Sequence, residues 1–452
     1  MKKMRVRGKW MVEKLSYTFI LVLSVLMTSG LINNAYAFHS GGVGFCDGCH
    51  TMHNSLGNAK MTLNNIPQFT GNNYLLRGRD PSSTCLNCHA TNSTYPELTP
   101  KVMTYPAPSA GTPPGQYTPG GDFAWLQKNY TWTNSDGSAG RSNGYHHGHS
   151  IVALDFGYTK DSVLNRSPGG SFNSSYFGCD SCHDPHGQSR IDYSGNVVTP
   201  TAAPYQVPPI YSSGSYGDLP TNTGNNGAGE AIGVYRLLAV TTPILAVSPR
   251  DFNRLETTAD TRVAYGTGMS EFCQGCHAQI HSDQSPVTSA PFIHPAGSTA
   301  KLTQEVVNNY NAYVYTGNLL GQQASSYTSM VPYEEGLPLT VANIQTLAGH
   351  ASSSGGYTAG PSTGNENVMC ISCHRAHATG WDSMTRWNNT TNFLTVCGSY
   401  PGTDATACAE AKQGDYAQGR TMAEEQATFY GRPAAVYASY QRSLCNKCHA
   451  KD

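Results

Sequence analysis

Cys179-Asp180-Ser181-Cys182-His183-Asp184-Pro185-His186 is the stretch that decides how this 452-residue chain is built. Its first five residues are Cys-x-x-Cys-His, in which two thiols can add to the vinyl groups of a haem while the adjacent imidazole reaches the iron from the same side. The eighth residue, His186, offers a ligand to a second iron. The five-residue pattern occurs six times: Cys46, Cys49 and His50; Cys85, Cys88 and His89; Cys179, Cys182 and His183; Cys273, Cys276 and His277; Cys370, Cys373 and His374; Cys445, Cys448 and His449. Twelve of the fourteen cysteines are used in this way, which implies six c-type haems with the six motif histidines as proximal iron ligands.

Zinc ribbons and redox Cys-x-x-Cys sites also pair cysteines, but neither needs a histidine after every pair. Zinc modules further require two pairs close together, whereas successive motifs here start 39, 94, 94, 97 and 75 residues apart. That spacing is too wide for finger-sized units.

The chain opens with Lys2, Lys3, Arg5, Arg7, Lys9 and Lys14 against Glu13, continues into an apolar run from Tyr17 to Leu31, and reaches Ala35-Tyr36-Ala37. This is the order of a secretory signal peptide over residues 1–37, with a mature protein starting at Phe38 and forming one hexahaem domain over residues 38–452. An uncleaved anchor is the alternative. Export to an oxidising compartment would suit the two spare cysteines, Cys397 and Cys408, which are expected to close a disulfide rather than remain buried thiols. Without residues 1–37 the chain keeps 22 basic and 28 acidic side chains, a formal charge of −6. With no basic field and no reading motif, nucleic-acid binding is excluded as a function class, and an acidic surface favours basic or metal-cation partners.

The 47 Gly and 26 Pro, with long polar stretches such as 105–122 and 199–229, argue against a conventional large core. Haems would supply much of the interior, so haem binding and folding are coupled and the apoprotein should be largely disordered. The expected fold is mostly coil with short α-helices and few strands, a multihaem cytochrome c fold wrapped around a row of haems. Helices are expected over 303–315, 340–347 and 421–430, the last opening on the capping-box pattern Thr421-Met422-Ala423-Glu424, and from Pro433 into the last motif. Short strands are expected near 234–240 and 263–265.

Ten further histidines can close the irons from the other side. His53, His186 and His377 follow a motif histidine by three residues and His281 follows His277 by four, too near on one segment for both rings to flank one haem, so the second ring is suited to another iron. His149 and His350 each follow a glycine and precede a Cys-x-x-Cys-His-x-x-His unit. His294 precedes Pro295, which restricts the backbone before it. The distal set is therefore His149, His186, His294, His350 and His377, with His39 and His281 in reserve; His53, near the mature N-terminus and before the polar run Asn54 to Asn65, is expected to ligate a haem of an adjacent chain, with a haem of its own chain as the alternative. His146 and His147 read as exposed neighbours of His149. Iron with two imidazoles has no open position, which implies electron transfer at low potential rather than catalysis. A multihaem reductase with one five-coordinate haem, reducing a small oxidant such as nitrite, is the competing class.

Phe38-His39-Ser40-Gly41-Gly42 with Cys46 to His53, Ser181 to His186, Val263 to Cys273, Cys373 to His377 and the terminal Tyr440 to Asp452 resemble the outer-surface hexahaem cytochromes of metal-reducing bacteria. The likeness runs through the whole mature chain. Relative to that pattern the chain adds Cys397 and Cys408 and lacks a histidine just after His89. The resemblance implies bis-His haems and an exported protein at the outer cell surface that polymerises head to tail into extracellular filaments. It also implies a histidine at the position of His53 that crosses to the next subunit. Periplasmic or outer-membrane cytochromes would be the electron donors, and metal oxides or other outside acceptors would receive the electrons, so that terminal metal reduction is compatible with the absence of a catalytic residue.

Overall fold

Two cysteines at positions i and i+3 reach the same side of a chain when the backbone between them coils into a helical turn. The motifs do this through a shared hydrogen bond. The His183 amide donates to the Cys179 carbonyl at 2.9 Å, His277 to Cys273 at 3.0 Å, His374 to Cys370 at 3.1 Å and His449 to Cys445 at 3.1 Å. The remaining two motifs lie on the helices Cys46–Cys49 and Pro81–His89. The computed structural model describes residues 46–51, 55–56, 59–60, 75–91, 101–183, 185, 190–191, 197–198, 231–233, 237, 244–249, 263–280, 295–313, 330–338, 342–343, 346–347, 350, 360–362 and 364–449.

Between the motif turns the described chain is mostly coil, and its helices are short and locally capped. Pro81–His89 starts with Pro81 at its first turn and with Asp80 accepting from the Ser83 amide at 2.7 Å. The same carboxylate takes the Leu154 amide at 2.8 Å, so the cap also ties the second motif to a distant loop. Met422–Thr428 carries the expected capping box, Thr421 with Glu424. Gln304–Ala312 is capped by Thr303 and stops before the expected 315, because Tyr313 turns extended and gives its carbonyl to the buried Lys447 ammonium at 3.0 Å. Among the described residues the strands form three two-stranded ladders and one three-stranded sheet, Ala231–Gly233, Leu245–Pro249 and Ala264–Thr267, all antiparallel. Among the described residues no helix is long and apolar enough to cross a membrane.

The apolar interior of the described residues is divided into separate clusters, three of which lie against motifs. One gathers Leu86, Ala90, Met103, Phe123 and Ile151 beside the second motif. Another joins Tyr265, Met269, Met369 and Ile371 to the partly buried Cys182, and a third packs Tyr310, Trp387, Phe429 and Leu444 against Cys448. These three cores are thus built beside Cys-x-x-Cys-His motifs, whereas Val396, Ala405 and Ala411 pack beside Cys397 and Cys408 instead.

Two expectations are corrected. The segment from Pro433 is not one helix: it forms separate 3-10 turns, Ala434–Val436 and Leu444–Lys447. Between them the chain bends at Tyr437 and turns at 439–440, pairing with residues 392–398 through Leu394 to Gln441 at 2.9 Å and Gly398 to Ser439 at 2.8 Å, bonds a helix would forgo. His147 is not an exposed neighbour of His149 but is fully buried. Its Nε2 meets Ser142 Oγ at 2.6 Å and its Nδ1 the Trp125 carbonyl at 3.0 Å, so both nitrogens are engaged. The expected helix over 340–347 is described only at residues 342–343 and 346–347, both helical, and the strand near 234–240 only at Leu237, which bridges His183. The polar stretch 199–229 and residues 1–37 lie outside the described residues.

Candidate haem sites

The attachment cysteines follow one another in chain order. The Cys85 and Cys179 side chains lie beside each other and interact, as do those of Cys273 and Cys370, which sets the second motif against the third and the fourth against the fifth. Cys49 acts electrostatically on Cys85, Cys182 on Cys273, and Cys445 and Cys448 on Cys373, so the first and sixth motifs extend the series at its ends. Burial pushes the Cys182 and Cys373 thiols up to about 12, in keeping with sulfurs enclosed by apolar walls.

Two pairs of histidines far apart in sequence face each other. The ring centroids of His149 and His277 are 6.1 Å apart and inclined by 35°, and those of His183 and His377 are 6.5 Å apart and inclined by 59°. An imidazole bound through one nitrogen about 2.0–2.1 Å from a first-row metal has its centroid about 3.2 Å from that metal, so two axial rings stand about 6.3 Å apart. Both pairs therefore have the separation that one iron between them requires, and each contains one motif histidine and one from elsewhere. His377 and His149 are held neutral for such a role: burial first, then the neighbouring imidazoles, pushes His377 down to about 3 and His149 down to about 4.

A backbone clasp holds the two non-motif rings. The His377 amide donates to the Gly120 carbonyl at 2.8 Å, the His149 amide to the His377 carbonyl at 2.9 Å, and the Thr379 amide to the His147 carbonyl at 2.9 Å. Residues 376–379 are thereby threaded between 120–121 and 147–149. Gly120 is required by close approach, since a Cβ there would lie 2.6 Å from His377 Nδ1. Phe123 stacks on the His377 ring, 4.7 Å between centroids.

The ring nitrogens away from the facing partner are fixed as well. His149 Nδ1 bonds the Ala376 carbonyl at 2.6 Å, His277 Nδ1 the Pro168 carbonyl at 2.8 Å, and His374 Nδ1 the Ser383 carbonyl at 2.8 Å. A nitrogen donating in this way leaves Nε2 as the metal-binding atom and sets the ring plane. His350 Nδ1 is placed against the Glu335 carboxylate instead, at 2.7 and 2.9 Å from its two oxygens. At the last motif Cys445, Cys448 and His449 open onto a cleft walled by Leu302, Tyr310, Val331 and Trp387. Covalent anchors, an adjacent imidazole and apolar walls fit a haem there.

Of the sequence-derived distal set, His149, His350 and His377 lie among the described residues, while His39, His53, His186, His281 and His294 lie outside them. Cys397 and Cys408 are joined as a disulfide, with 6.2 Å between Cα atoms. Sequence reasoning did not find the clasp glycines, Phe123 or Glu335. The one available signal was Gly148 directly before His149.

The chain is 43% identical to the C-type cytochrome OmcS of Geobacter sulfurreducens over 439 residues, which cover 92% of this chain and 95% of that protein. The chain belongs to the OmcS family of c-type cytochromes. Its fold matches that of the OmcS nanowires from Geobacter sulfurreducens, studied by cryo-EM, with a TM-score of 0.72 and 40% identity, covering 92% of this chain and all of that one. A second structure, the Outer Membrane Cytochrome S filament from the same organism, matches with a TM-score of 0.73 at 41% identity and the same coverage. No family model matches the chain. Membership of the OmcS family makes haem the cofactor of the chain.

Proposed function

We propose that this protein carries electrons along six covalently attached, bis-His haems and polymerises into an extracellular filament that delivers them to outside acceptors such as metal oxides. The observation that carries the reading is the pair of facing histidine couples, His149 with His277 and His183 with His377, at the spacing of axial ligands. Haem, when bound, supplies an iron that takes up and returns one electron. His277 and His183 would be the proximal ligands and His149 and His377 the distal ones. The Cys85–Cys179 and Cys273–Cys370 contacts would hold neighbouring macrocycles close enough for tunnelling.

At the two irons that would sit between these couples both axial positions would be filled by the chain's own rings, so no small oxidant could bind there, which favours a conduit over a nitrite-type reductase. The homology to filament-forming OmcS supports a homopolymer at the outer cell surface, supplied by periplasmic or outer-membrane cytochromes. In such a polymer His53 would ligate a haem of the next subunit, a head-to-tail bond that generates an open fibre rather than a ring.

Three measurements on the native protein test this. Intact mass should give a chain starting at Phe38 with six haems and twelve thioether bonds. The oxidised protein should be wholly low-spin, and electron micrographs should show filaments. His53→Ala should abolish filaments and leave one high-spin iron per subunit. A high-spin iron in the unmodified filament, or unaltered filaments and spectra in the variant, would overturn the reading concerned.

A further inference from the structure

The described histidines differ in what holds the nitrogen away from the iron. His149, His277 and His374 donate to backbone carbonyls, which are neutral acceptors. His350 donates to a carboxylate, and does so to both oxygens of Glu335. We propose that Glu335 is a positioning residue that lowers the reduction potential of the haem iron bound by His350. The proposal rests on the reading of His350 as a distal ligand.

The chemistry is that of an outer-sphere anion. A carboxylate that accepts the Nδ1 proton draws the ring toward imidazolate and makes Nε2 a stronger donor. A stronger donor stabilises the ferric state over the ferrous, and second-shell hydrogen bonding is one of the ways a protein sets a haem potential. The anion also lies near an iron that gains positive charge on oxidation, so Coulomb attraction acts in the same direction. The carboxylate is partly screened, since its side chain is 12% exposed and that of His350 is 23% exposed.

The fold holds this charge in place from both sides. The Glu335 amide donates to the Tyr265 carbonyl at 2.8 Å and the Leu337 amide to that of Gly266 at 3.1 Å, which fastens the segment to the strand Ala264–Thr267 leading into the fourth motif. The preceding residue, Glu334, is fully buried and accepts from the Met269 amide at 2.8 Å and from Asn367 Nδ2 at 2.7 Å, tying the same segment to the approach of the fifth motif. Gly336 follows with φ of +68°, and any side chain there would strike the Asn365 carbonyl. A carboxylate whose neighbours are fixed in this way is a standing part of the iron environment rather than a swinging surface group. It makes the haem row uneven: the iron at His350 gives up its electron more readily than it would with a carbonyl partner.

The test uses the full haem-loaded chain with three substitutions, Glu335→Gln, Glu335→Asp and His350→Ala, read by spectropotentiometric titration and by spin state. Glu335→Gln keeps the shape and removes the charge. One midpoint should move positive by at least a tenfold change in its reduction equilibrium, about 59 mV for one electron, while the other midpoints stay and every iron remains low-spin. Glu335→Asp, which keeps the anion, should move that midpoint by less than half as much. His350→Ala should turn one iron high-spin. A high-spin iron in His350→Ala together with unmoved midpoints in Glu335→Gln would overturn the tuning role and leave the ligand reading intact. A fully low-spin His350→Ala protein would overturn the ligand reading and the tuning role with it.

Discussion

Replacing Gly120 by alanine should release one iron from its distal ligand. The added methyl would lie 2.6 Å from His377 Nδ1 and 2.9 Å from Cε1, where Cβ contacts under 3.0 Å essentially never occur and ordinary ones begin at 3.4 Å, so the ring must retreat by 0.4 to 0.8 Å. Metal–ligand bonds tolerate a change of about 0.2 Å. The ring cannot absorb the rest by swinging aside. Phe123 covers one face at 4.7 Å, and the His377 backbone is held by Gly120 at 2.8 Å and by His149 at 2.9 Å. Overpacking of this kind costs about 1–3 kcal/mol, and the loss of one clasp hydrogen bond adds about 0.5–1.5 kcal/mol. Near-infrared magnetic circular dichroism and electron paramagnetic resonance of the oxidised variant should show one haem converted to high spin with the others unchanged. A fully low-spin spectrum with an unshifted unfolding midpoint would refute the facing of His183 and His377 across one iron.

Lys128 and Glu424 form a buried ion pair at 3.2 Å, with Tyr130 also donating to the carboxylate at 3.0 Å, so Lys128→Met should lower stability by about 3–5 kcal/mol in chemical denaturation. Removing the 397–408 crosslink by a double alanine substitution should cost about 2–3 kcal/mol without changing haem content, measured by denaturation and intact mass. Burial raises the Glu425 carboxyl from 4.5 to about 8, so the folded state keeps a proton that the unfolded chain releases. Its contribution to stability is complete below about 4.5 and declines as pH rises toward 8, and Glu425→Gln should flatten that part of a stability profile.

Where covalent chemistry dictates spacing, the residues could be read directly: a thioether pair needs Cys at i and i+3, and the one-turn geometry of each motif follows. The capping box at Thr421 was equally legible, because its partners are three residues apart. Tertiary pairing defeated local reading after Pro433, where hydrogen bonds to residues 392–398 replace a helix the composition would accept. His147 could not be separated from His149 by sequence, since its burial depends on Ser142 and Trp125 meeting its two nitrogens. The partners of His149 and His377 were beyond reach for the same reason. Facing rings drawn from segments more than a hundred residues apart leave no local pattern, and the glycines that admit them are ordinary in a chain so rich in glycine.

The clasp between residues 120–121, 147–149 and 376–379 also imposes an order on assembly. On the proposed pairing, an exported chain emerging from its N-terminus presents His149 before His277, but His183 must wait 194 residues for His377. Until that segment arrives and threads between the two glycine-bearing turns, the third iron has an unfilled face open to water or a foreign ligand. No fragment ending before residue 376 can complete it. The centre of the row is therefore closed late, by the part of the chain made near the end.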